Sequence, residues 1–136
     1  MGAWSHEPFG NDTAGDWAYG LVESKDLSYI EAALDKVLEK GTDYLEAPDA
    51  EEAIAAIEVI AKLLGKGTQS DAYTKEVDAW VKSSKNKPST ALLQKAQRVI
   101  DRILSANSEL LDLWQESDQV AVWKASMTHL QATVSA

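Results

Sequence analysis

The chain has no cysteine at all. Disulfide frameworks, thiolate metal sites and cysteine nucleophiles are therefore excluded, and no compartment can be inferred from redox chemistry. Histidine is almost as scarce: His6 and His129 are the only two, so a zinc centre would need carboxylates for most of its ligands. Pro8, directly after His6-Glu7, forbids the helical geometry of a zincin motif. No cofactor or metal is expected. No apolar run approaches the roughly 20 residues needed to span a bilayer. The opening MGAWSHEPFGNDT also lacks the basic and apolar regions of a secretory signal, so a cytoplasmic protein without a membrane partner is expected. No stretch alternates apolar and polar residues with β-branched enrichment, so no strand is expected either.

What the chain does have is negative charge. Its 22 acidic residues outnumber 13 basic ones, for a net −9. Such a surface repels phosphate backbones, which argues against nucleic acid, and would speed encounter with a basic protein. The 136 residues match one ordinary domain, expected to run over 1–136 with a nonhelical N-terminal segment at about 1–11.

Apolar spacing is helical nearly throughout, which predicts an all-α fold: a single globular bundle of about six to seven short helices, about 65–75% helical against a base rate of roughly a third. The longest pattern runs from Asp49 to Gly65, with Ala50, Ala53, Ile54, Ile57, Ile60, Ala61 and Leu64 on one stripe and Glu51, Ala55, Glu58 and Lys62 on the other. Ala56, Val59 and Leu63 widen the apolar face and place this helix near the centre. Upstream, Leu27, Ile30, Leu34, Val37 and Leu38 form a second stripe, opened by Asp26 or by a Ser28 to Glu31 capping box and stopped at Gly41. A shorter helix after Asn11 and Asp12 turns Ala14, Trp17, Ala18 and Leu21 inward, weakened by Gly15 and Gly20. Three later faces are expected: Tyr73, Val77, Trp80 and Val81; then Leu92, Ala96, Val99, Ile100 and Ile103; then Val120, Trp123, Met127, Leu130 and Val134. Between the last two, Asn107 is expected to cap a short helix carrying Leu110, Leu111 and Trp114. Segment 83–89 reads as the most flexible loop.

Few residues suggest chemistry. Gly65-Lys66-Gly67-Thr68 lacks the spacing of a phosphate loop and leaves a helix, so it reads as a C-cap. Glu31, Asp35 and Glu39 make an acidic stripe that Lys36 and Lys40 dilute, and it reads as a solvated face. Trp17, Trp80 and Trp123 fall on inward stripes, whereas Trp4 lies outside any helical period and either plugs the bundle end or lines a groove.

Three stretches carry a resemblance: Gly2-Ala3-Trp4, Pro8-Phe9, Asn11-Asp12, Ala14 and Asp16-Trp17 at the start; Leu45-Glu46-Ala47-Pro48 with Ala50-Glu51-Glu52-Ala53; and Asn107-Ser108-Glu109-Leu110 with Leu113-Trp114. Together they resemble a bacterial family defined only as domain of unknown function 4259. Ser5 and Gly10 depart from its usual pattern. The resemblance implies no activity, but it directs attention to Trp4, Asn11, Asp12, Asp16, Glu46 and Glu109 as a candidate binding site. On one account they are caps and core; on the other, the carboxylates Asp12, Asp16, Glu46 and Glu109 meet at one bundle end beside Trp4. The function expected is noncatalytic, binding or structural, with a basic protein as partner. The alternative is a small enzyme or ligand-binding domain using those carboxylates. Nothing in the sequence points to a homo-oligomer.

Overall fold

The computed structural model describes residues 5–135. Trp4, expected to plug the bundle end or line a groove, lies outside them. Seven α-helices occur among the described residues: α1 (Asp12–Val22), α2 (Ser28–Leu38), α3 (Ala47–Leu63), α4 (Lys75–Ser83), α5 (Thr90–Ile103), α6 (Glu109–Gln115) and α7 (Val120–Thr133), with a 3-10 turn at Ala72–Thr74 before α4. The helical share is 66%. Leu45 and Ser108 form an isolated parallel bridge.

The other helices surround α3, which packs on α1, α2, α4, α5, α6 and α7. Its sequence explains this. Pro48 in the first turn needs no N–H partner there, and an alanine-rich body lets neighbouring backbones come close. From Ala53 to Ala61 every residue is buried. That overturns the two-stripe reading at Ala55 and Glu58, which are fully inaccessible, because a helix enclosed by neighbours keeps no solvent face. The helix ends at Gly65, whose φ of +76° is in the left-handed region, and the Lys66 N–H reaches back to Ala61 O (2.8 Å). This is the C-cap expected of Gly65-Lys66-Gly67-Thr68.

Several local expectations need correction. The Ser28 to Glu31 box is absent; instead Asp26 Oδ1 accepts from the Ser28 N–H (2.9 Å) and hydroxyl (2.6 Å). Asn107 does not cap α6. It adopts φ +61° and donates through Nδ2 to Thr42 O (3.1 Å), while Ser108 holds the N-cap position without a side-chain bond. Tyr73 faces outward, 63% exposed, and Thr74 is buried in its place, because the 3-10 turn changes the register before α4. Glu31 and Asp35 are not a free stripe: Lys95 of α5 donates to both (2.6 and 2.7 Å), which ties α2 to α5. Loop 84–89 is also held, by Asn86 Nδ2 donating to Lys25 O (3.0 Å).

Trp17 and Trp123 are buried as expected, and Trp114 is too. Trp114 and Trp123 stack with centroids 5.8 Å apart, joining α6 to α7. Trp80 is half-buried and donates Nε1–H to Ser24 O (2.9 Å), the partner that a buried indole requires.

Candidate functional site

The three motif stretches converge in space. Asn11 Oδ1 accepts from the Ala14 N–H (2.8 Å) and caps α1. Glu109 Oε1 accepts from the Ala47 N–H (2.7 Å) and satisfies the start of α3. The Leu45 N–H donates to Asn107 O (2.8 Å), and the Glu109 N–H to Leu45 O (2.9 Å). The middle and late motifs are thus one small structural unit, a two-way bridge plus a cap. At its edge, the Ser108 hydroxyl is buried without a described partner.

Glu51 sits at the meeting point. It lines a small cavity of about 20 Å³ with Pro8, Asn11, Ile54, Trp114 and Trp123. Burial pushes its carboxyl above the usual range; a hydrogen bond with Thr13 opposes this, and the charges of Glu109 and Asp12 add to it. Of the expected carboxylates, the structure therefore gathers Asp12 and Glu109, around a residue that sequence reasoning had placed on the outward stripe. Glu46 is exposed at the N-cap of α3, with no side-chain cap bond.

Asp16 belongs elsewhere. With Asp12 it lines a groove of about 340 Å³ between the first turns of α1 and the start of α4, where Tyr19, Tyr73, Glu76 and Lys75 complete the wall. Three carboxylates face one ammonium there. Among the described residues Tyr19 and Tyr73 are the two most exposed large hydrophobics, at 68% and 63%. Sequence periodicity missed this groove: Tyr73 was read inward, and Tyr19 and Glu76 carry no signal until α1 and α4 are brought together.

A second feature was invisible in the sequence. Glu58 is wholly buried, and its Oε2 accepts from the N–H groups of Thr68 (2.7 Å) and Gln69 (2.9 Å) while Oε1 accepts from the Thr68 hydroxyl (2.6 Å). Lys62 Nζ lies 3.8 Å away and donates to Asp78 Oδ1 (2.6 Å) and to Gln69 O. Gln69 Oε1 in turn accepts from the Phe9 N–H (2.8 Å). Burial raises the Glu58 carboxyl, and its donors offset this only partly. For Asp78 burial is outweighed by Lys62 and Thr74, so its carboxyl is held low. Every oxygen here is engaged, which marks a latch more than a reaction centre.

The two histidines, at opposite ends of the chain, line one open groove of about 440 Å³ with Glu7, Thr68, Val122 and Ser126. Among the described residues no group of three His, Cys, Asp or Glu is arranged to hold a metal ion, and no helix is long and apolar enough to cross a membrane.

These features define an acidic all-helical bundle whose distinctive polar residues cap and bridge its helices. The chain belongs to the family described as a domain of unknown function (DUF4259), whose model matches residues 2–126. No curated protein and no solved structure matches it.

Proposed function

We propose that this protein is a noncatalytic, cytoplasmic binding protein that docks a basic segment of a protein partner. The observation that carries this reading is the α1/α4 groove, in which Asp12, Asp16 and Glu76 surround two exposed tyrosines. Carboxylates attract a cationic side chain, and a tyrosine face adds a cation–π contact worth about 0.5–1 kcal/mol at an exposed site. The caps support the noncatalytic part, since Asn11 and Glu109 already spend an oxygen on helix starts.

The test uses an oligo-lysine peptide and measures association by fluorescence anisotropy across a salt series. Association should slow as salt rises, because attraction between exposed charges is screened beyond about 8 Å at physiological ionic strength. Combined Asp12→Asn, Asp16→Asn and Glu76→Gln substitutions should weaken binding several-fold. Association that ignores salt, or is unchanged in the triple variant, counts against the groove.

A second reading is favoured by Glu51, a carboxyl raised by burial beside stacked indoles, the kind of environment in which general acids are found. It predicts turnover of a substrate that Glu51→Gln abolishes in a folded protein. Such turnover would replace the binding reading.

A further inference from the structure

The four lysines at the far end of the same two helices suggest what the groove can hold. Residues 79–100 contain no acidic residue in a chain that has 22, and they include Lys82, Lys85 and Lys87. Asn86 bonds to Lys25 O, which brings the turn after α1 against the loop after α4. Lys25, Lys82, Lys85 and Lys87 are all exposed there, and none is ion-paired among the described residues. Glu23 and Asp26 share the corner, but four lysines against two carboxylates leave its balance positive.

The two helices run side by side in the same direction. Asp12 and Asp16 meet Tyr73 and Glu76 at one end, and Ser24 and Lys25 meet Trp80 and Asn86 at the other. The 11 residues of α1 separate the two patches by about 16 Å at 1.5 Å per residue, roughly two Debye lengths at physiological salt. The patches therefore leave each other's charge largely unneutralised within one molecule. Each remains free to attract its complement on another.

We infer that the acidic groove of one copy receives the lysine corner of a second copy, giving weak head-to-tail self-association. This rests on the basic-docking reading of the groove and names the chain itself as an occupant. A contact between two different patches is heterologous, so it propagates along a series of copies instead of stopping at a symmetric pair. Electrostatic complementarity supplies the attraction, and the net −9 of each copy opposes it at long range, which keeps the association weak.

Sedimentation velocity on the full chain, from micromolar to millimolar protein, tests this. The average mass should rise with concentration at low salt and return toward monomer as salt increases. Lys85→Glu with Lys87→Glu destroys the corner, and Asp12→Lys with Asp16→Lys destroys the groove. Each pair alone should weaken self-association at least about tenfold, equivalent to about 1.4 kcal/mol. Mixing the two variants leaves one intact corner and one intact groove, so the mixture should form one-to-one dimers and nothing larger. Should the groove pair fail to fold by circular dichroism, Tyr19→Ala with Glu76→Lys replaces it. A wild-type chain that stays monomeric throughout, or a mixture that gives no dimer, overturns the inference. The corner variant also keeps the two readings apart. If it binds oligo-lysine while the wild type does not self-associate, only the self-docking inference fails; if it binds nothing, the groove itself fails.

Discussion

Glu58 is the residue whose removal should cost most for its size. Itself wholly buried, it satisfies two backbone N–H groups and a hydroxyl from the half-buried Thr68 and the buried Gln69. Glu58→Ala would orphan all three and leave Lys62 with one acid fewer, so a loss of about 3–5 kcal/mol is expected from urea denaturation. Glu58→Gln should cost only about 1 kcal/mol, because its amide oxygen can accept both N–H groups while its NH₂ donates to Thr68 Oγ1. Equal losses for the two variants would show that volume matters there and hydrogen bonding does not. Glu51 allows a test in pH. Its folded pKa is raised, so its contribution to stability is complete below the unfolded value and is lost as pH rises through the folded one. Glu51→Gln removes that loss. The variant should melt above wild type at neutral pH, and the gap should close as pH falls toward the ordinary glutamate range. A gap that widens on acidification would reverse the assignment.

Among the elements, α1 separates two glycines that look alike in sequence. A Cβ on Gly15 would meet nothing within 4 Å, whereas one on Gly20 would lie 2.3 Å from Tyr29 Oη. That hydroxyl donates to Trp17 O (2.6 Å), and the Tyr29 ring stacks on Trp17 at 5.0 Å. Gly15→Ala should stabilise by up to about 1 kcal/mol through helix propensity, and Gly20→Ala should destabilise by displacing Tyr29. Thermal melts giving both variants the same sign would remove this packing account. The example also shows what was legible. All seven helices follow from three- and four-residue apolar spacing, and Gly41 and Gly65 end α2 and α3 through positive φ. Spacing describes one helix at a time, however. It could not tell that α3 is enclosed on every side, that Lys95 would reach Glu31 and Asp35 from α5, or that Asp16 and Glu109 would face different places. Of the candidate site, the convergence of the motif stretches was readable as co-occurrence. The role of Glu51 and the tyrosine groove arise only from tertiary packing.

On the scale of the molecule, the stretch from Pro8 to Asn11 is part of the core. Phe9 is 2% exposed, and its N–H is bound to Gln69. Phe9→Ala should therefore cost about 3–5 kcal/mol, in the range of buried aromatic truncations; a loss below about 0.5 kcal/mol in chemical denaturation would show the segment to be dispensable. The latch that holds Phe9 and the cap that completes α3 both join residues far apart in the chain, Phe9 with Gln69 and Ala47 with Glu109. Such distances matter during synthesis, when the chain leaves the ribosome from its N-terminus at about 5–20 residues per second. Phe9 has no Gln69 to bind until 60 further residues have been made, and the Ala47 N–H waits 62 residues for its Glu109 cap. The central helix is therefore capped late, and the nascent chain carries Phe9 undocked for about 3–12 seconds, a period in which a chaperone has reason to hold it.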